Sequence, residues 1–152
     1  MSEHRVTVAW ERGDVEFTYQ AYRRDHTWSF EGGINVGVSA APAFKGNPDL
    51  VDPEEAFVAS LSSCHLLTFL ALAAKKRFVV DRYTDRAVGH VEKIEGGKLA
   101  VTRVELRPEI RFSGDPQPTA DELADLHERA HDMCFIANSV KSEVTIGAGV
   151  VT

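Results

Sequence analysis

Hydrophobic and polar positions alternate along the first forty residues in the two-residue rhythm of half-buried strands. Val6, Val8 and Trp10 form one such run and Val15, Phe17 and Tyr19 a second, with Glu11 to Asp14 turning around Gly13. A second hairpin is predicted from Trp28 and Phe30 through Glu31-Gly32-Gly33 to Ile34, Val36 and Val38. Residues 40 to 52 are punctuated by proline and glycine and read as a loop. The pattern then changes. From Val51 to Phe78 comes the longest apolar run of the chain. Asp52 suits an N-cap, Pro53 the first turn, Glu55 a capping box, and Lys75-Lys76-Arg77 the negative end of the helix dipole. Phe57, Val58, Leu61, Leu66, Leu67, Phe69, Leu70 and Leu72 cover most of the circumference, which predicts a central helix buried on all sides. Ser60, Ser62, Ser63, His65 and Thr68 interrupt it more often than a membrane span would allow.

Beyond that helix, Phe78 to Val91 reads as the start of a strand, and Glu92 to Arg111 as a hairpin turning at Glu95-Gly96-Gly97. Thr119 and Glu122 have the spacing of a capping box, opening a second helix. On it, Leu123, Leu126, Ala130, Met133, Cys134 and Ala137 recur three or four residues apart, so Cys134 falls on the apolar stripe. Glu143 to Val151 closes the chain as a strand. Strands, buried helix, strands, amphipathic helix, strand is the order of an α+β protein with antiparallel sheet.

Composition narrows the function classes. With 152 residues the chain is expected to form one domain with a substantial core. A net charge of −6 argues against nucleic acid as partner, since phosphate binding needs a basic surface. No basic segment followed by an apolar one opens the sequence, and two cysteines seventy residues apart are too few for a disulfide scaffold. The expectation is a cytoplasmic protein with free thiols, without membrane attachment.

Three groups of residues carry chemistry. Cys64 lies in the middle of the long helix, where burial alone would make it a small inert hydrophobe. Cys134 alone reads the same way. Together they form a candidate pair, because a sulfenic acid needs a second thiol to become a reducible disulfide before over-oxidation. His127-Glu128-Arg129-Ala130-His131 is a literal H-E-x-x-H, the zinc-hydrolase pattern in which two histidines bind metal and the glutamate acts as base. It lacks a third ligand: no histidine follows, and beyond the adjacent Asp132 the only later carboxylate is Glu143. The alternative is two partly exposed histidines on a solvated flank. His65 points about 100° away from Cys64 on a helix, so it reads as a core histidine rather than the thiol's base. Gly32, Gly33 and Gly37 open no helix and make no dinucleotide loop.

The segment DPEEAFVASLSSC resembles the signature of the OsmC and organic hydroperoxide resistance family, with Pro53 and Cys64 at the family spacing and Asp52 in place of the usual asparagine. CFIANSVKSEVTIG, opening at Cys134, resembles the family's second cysteine segment. The resemblance implies an intertwined homodimer in which antiparallel sheets wrap central buried helices. It further implies a thiol peroxidase without metal or flavin, protecting against oxidative stress. Cys64 would attack a hydroperoxide, Cys134 would resolve the sulfenic acid, and an external dithiol, lipoyl or thioredoxin-type, would reduce the disulfide. Glu54 matches the family glutamate that holds an arginine beside the thiolate. For that arginine the chain departs from the pattern in which it precedes Phe-x-Gly, since Ala43 stands before Phe44. Arg23 and Arg24 are the candidates, with Arg24 favoured by the surrounding Tyr-x-Arg-x-His-x-Trp. Glu54 and Cys64, ten residues apart, would be separated by about 15 Å along one helix, so the implied site is assembled in trans between subunits. A non-catalytic module binding an apolar ligand between its central helices is the alternative.

Overall fold

The computed structural model describes residues 1–147, and its chain divides into two compact units at Ala56/Phe57. In the N-terminal unit, β1 (Val6–Ala9), β2 (His26–Phe30) and β3 (Asn35–Val38) form an antiparallel sheet with β2 in the centre. The predicted turn at Gly32-Gly33 joins β2 to β3, with Gly33 at φ +83°, where only glycine is unstrained. The expected strand at Val15 to Tyr19 is absent, and β1 pairs with β2 instead. Aromatic packing explains this. Phe17 lies 5.9 Å from Trp10 and 5.5 Å from Tyr22, and the Trp10 indole donates to the Arg23 carbonyl at 2.8 Å, so alternation here serves a folded loop. The loop of residues 39–52 returns beside β3, where Ser39 N–H donates to Val51 O at 2.9 Å. Gly46 is required in that loop: a Cβ there would sit 1.4 Å from the Ala40 carbonyl oxygen.

Helix α1 (Pro53–Lys75) runs unbroken. Its start is the predicted capping box: Glu55 N–H donates to Asp52 Oδ1 at 2.7 Å and Asp52 N–H to Glu55 Oε2 at 3.1 Å. Its end closes as a Schellman turn, with Phe78 N–H donating to Ala73 O, Arg77 N–H to Ala74 O, and Arg77 at φ +63°. Leu61, His65, Phe69, Leu72 and Ala73 form its buried stripe. Burial on all sides is not found, because Leu67 is 65% exposed and several other apolar residues are only half-buried. By length and composition α1 would also suffice to cross a membrane, with 28% of that stretch buried in the chain, so its polar interruptions do not separate it from a span. One chain supplies neighbours for only part of an all-apolar helix surface.

After α1, the C-terminal unit holds two sheets. Strands β4 (Val79–Asp85) and β7 (Pro108–Ser113) pair antiparallel. Strands β5 (Val88–Lys93), β6 (Leu99–Leu106) and β8 (Glu143–Ile146) form the other. The expected single strand near Phe78 to Val91 is thus two, and the hairpin at Glu95-Gly96-Gly97 joins β5 to β6 with both glycines at positive φ. The all-antiparallel expectation fails at one edge, where β8 lies parallel to β6, which α2 and its following turn make possible as a crossover. The predicted strand's last residues, 148–151, lie outside the described residues. Helix α2 (Ala120–Asp132) opens with the Thr119/Glu122 capping box. Phe69, Leu72, Phe78, Ile110, Phe112 and Leu126 make one core, and Leu61, Val104 and Leu106 a second. Gly89 on β5 brings α1 close, since a Cβ there would lie 2.4 Å from Val58 Cγ2.

Candidate active site

The two cysteines come together within the C-terminal unit. Cys64, at mid-length of α1, is half-buried and Cys134 is 1% exposed. Both are free thiols, and Cys64 is near enough to Cys134 to act on its protonation. Cys134 does not lie on the stripe of α2, as its spacing predicts. The helix stops at Asp132, Met133 is its C-cap, and Cys134 begins the turn beyond. There its N–H donates to His131 O at 3.1 Å, and its sulfur accepts the Ala137 N–H at 3.4 Å. Burial first, and then the neighbouring Cys64 thiol, push the Cys134 thiol pKa up. Cys134 therefore stays protonated, and of the two sulfurs Cys64 is the more open to solvent.

The H-E-x-x-H residues take a different arrangement from both sequence readings. His127 is 7% exposed, not on a solvated flank, while His131 is half-buried and Glu128 exposed. His127 Nδ1 and His65 Nε2 share a 3.0 Å hydrogen bond, their rings stacked with an interplanar angle of 9°. Phe69 also stacks on His127, with ring centroids 4.6 Å apart. His127 Nδ1 is thus engaged by a partner histidine, and no group of three side chains able to hold a metal occurs among the described residues. Both imidazoles are held neutral: burial, joined for His65 by the neighbouring His127 and His131, lowers each pKa to about 4. This pairing was missed in the sequence, but its signal is there. His65 stands four residues from Leu61 and from Phe69, and His127 four from Leu123, so each lies on its helix's buried stripe.

In the N-terminal unit Arg24 is half-buried, and its guanidinium donates to the Tyr22 and Tyr19 carbonyls at 2.6 Å each. It stacks 3.8 Å from the Tyr22 ring centroid. It borders an open cavity of about 320 Å³ together with Arg23, Lys45 and Asn47. Arg23, by contrast, is exposed. Glu54 is half-buried in the first turn of α1.

The model of the OsmC-like protein family matches residues 46–148, well over half of the chain and both cysteine segments. The chain belongs to the OsmC-like family. An OsmC-like protein of unknown function from Vibrio cholerae is 51% identical, with a TM-score of 0.93 over 97% of this chain and 99% of that one. The fold alone is shared with two more distant structures. An organic hydroperoxide resistance protein from Elizabethkingia anophelis is 21% identical, with a TM-score of 0.73 over 100% of this chain and 97% of that one. An OsmC-like protein from Mycoplasma pneumoniae is 13% identical, with a TM-score of 0.76 over 99% of each chain. No curated protein matches. In this OsmC-like chain a buried histidine pair thus lies next to the two cysteines in sequence, His65 beside Cys64 and His127 on the helix that leads to Cys134.

Proposed function

We propose that this OsmC-like protein is a thiol peroxidase that reduces organic hydroperoxides. The observation that carries the reading is the pairing of a half-exposed thiol, Cys64, with a buried one, Cys134, that burial keeps protonated. In this reading the Cys64 thiolate attacks the outer peroxide oxygen, the O–O bond breaks, and the alcohol leaves with one proton. Cys64 is left as a sulfenic acid. Cys134 then attacks that sulfur, the S–S bond forms as the S–O bond breaks, and the hydroxyl leaves as water with the Cys134 proton. An external dithiol, lipoyl or thioredoxin-type, regenerates both thiols by exchange. Arg24 would stabilise the Cys64 thiolate and Glu54 would hold Arg24, the roles that the family pattern gives them. The active form is proposed to be a homodimer. The exposed apolar side of α1, including Leu67, and the exposed Val6 and Val8 of β1 support this, since such surface asks for a covering partner.

The test is consumption of tert-butyl hydroperoxide with a small dithiol. Wild type should turn over, and Cys64→Ser should not react. Assayed without the dithiol, Cys134→Ser should consume about one equivalent and stop, with a sulfenic acid trapped by dimedone. Undiminished turnover in Cys64→Ser would overturn the reading, and no turnover in wild type would favour a non-catalytic module.

A further inference from the structure

The His65–His127 bond joins the two segments that carry the thiols. Cys64 and His65 are adjacent on α1. His127 lies on α2, and the chain leaves that helix directly into Cys134. One turn of α1 therefore faces two points of one C-terminal segment, a thiol and an imidazole. The rest of the buried helix contact is apolar, Phe69, Leu72, Leu123, Leu126 and Ala130 sharing one core, and the ion pair of Lys76 with Asp125 at 3.0 Å just past the end of α1 lies partly in solvent, where it holds register weakly. Apolar contacts are non-directional and tolerate sliding. A 3.0 Å hydrogen bond between two buried rings, clamped by Phe69 at 4.6 Å, does not. Slippage by one residue would leave an imidazole nitrogen buried without a partner on each ring. His65 Nδ1 and His127 Nε2 already lack partners, so the pair has no spare bond to fall back on.

We propose that His127, acting through His65, is a positioning residue for the thiol pair: it fixes the register of α2 on α1 and with it the seat of Cys134 against Cys64. The inference rests on the redox pairing of these cysteines. Its chemistry is the formation of the S–S bond, in which two thiols give up two electrons and two protons to an oxidised dithiol that is itself reduced. That equilibrium can be measured without any peroxide, so failure of the peroxidase reading and failure of this one are separable.

The experiment equilibrates the full-length protein in buffers of oxidised and reduced dithiothreitol at pH 7 and counts free thiols. His127→Phe keeps the ring and its stacking but removes the bond. It is expected to make the Cys64–Cys134 disulfide about tenfold easier to reduce, a rise of about 30 mV in its potential. His127→Asn, whose amide lies near the Nδ1 position and can still bond His65, should restore the wild-type value. A purely structural role would destabilise the oxidised and reduced folds alike and leave the equilibrium unmoved. Should His127→Phe fail to fold, the double variant His65→Phe/His127→Phe removes both polar partners together, a change that can be close to neutral for stability. It should show the same tenfold shift. An unchanged equilibrium in whichever of the two folds, or an equal shift in the Asn variant, would overturn the proposal.

Discussion

The two units of this chain are built on different terms. The C-terminal unit packs two apolar cores, and Phe69, Leu61, Val104, Leu106, Ile110 and Leu126 are each no more than 1% exposed. In the first 56 residues only Val38 and Ser39 are buried, and all of β1 is exposed. Ser39 is held by polar contacts, donating to Asp25 Oδ1 at 2.9 Å and accepting the Asn47 N–H at 3.0 Å. A sheet with Val6, Val8 and Phe30 in solvent gains little from the hydrophobic effect within its own chain. The difference teaches where stability and association should separate: the C-terminal unit holds its stability internally, and the N-terminal sheet owes its own to whatever covers it.

The largest effect that should break or bear out this contrast is a pair of truncations. Phe69→Ala removes a fully buried ring and should cost about 3–5 kcal/mol in urea denaturation, independent of protein concentration. Val8→Ala should cost within about 0.5 kcal/mol if the sheet stays exposed. If a second copy covers it, the cost should be larger at high protein concentration and should shrink on dilution, because the contact is absent once the copies separate. A large, concentration-independent cost at Val8 would show that the N-terminal sheet belongs to the chain's own core.

The sequence makes one half of this contrast readable and hides the other. Capping boxes at Asp52/Glu55 and Thr119/Glu122 are local hydrogen-bond patterns, and both are found where spacing predicts them. Turns at Gly33, Gly96 and Gly97 follow from the backbone that only glycine adopts readily. Alternation at Val15, Phe17 and Tyr19 misleads because period two reports which side chains share a face, not whether the backbone finds a ladder partner. The parallel pairing of β8 with β6 depends on a crossover that no local signal encodes. At the site, both cysteines are legible, whereas the histidine bond joins positions 62 residues apart and emerges only when two stripes are laid against each other.

Acid should sharpen the comparison at the next scale. His65 and His127 titrate near 6.5 when unfolded, and burial lowers each to about 4 in the fold. Between those values the unfolded chain binds the protons that the folded chain refuses. The contribution is therefore fully present above about pH 6.5 and is lost as pH falls toward about 4. Urea midpoints measured from pH 7.5 to 4.5 should fall with acid, and more shallowly in the His65→Phe/His127→Phe variant, which subtracts the histidines from the general effect of carboxylates. Equal slopes in the two proteins would mean that water reaches the pair.

The smallest effect poses the sharpest question, because the same local change can be made once in each unit. Among the described residues two non-glycines adopt a left-handed backbone, Lys45 at φ +64° in the N-terminal unit and Arg77 at φ +63° after α1. Arg77 occupies the Schellman position that glycine ordinarily fills, so Arg77→Gly relieves steric strain there while raising the entropy of the unfolded chain. Strain relief should win by up to about 1 kcal/mol, raising the melting temperature by about 2–4 °C. Lys45 closes a short turn, its N–H donating to Pro42 O at 3.1 Å, and Lys45→Gly relieves the same strain. If the N-terminal unit unfolds separately and earlier, its gain should appear in limited proteolysis of that unit and leave the main thermal transition in place. Equal rises in one transition for both variants would mean that the two units melt together, and the contrast in burial would then be one of composition without independent stability.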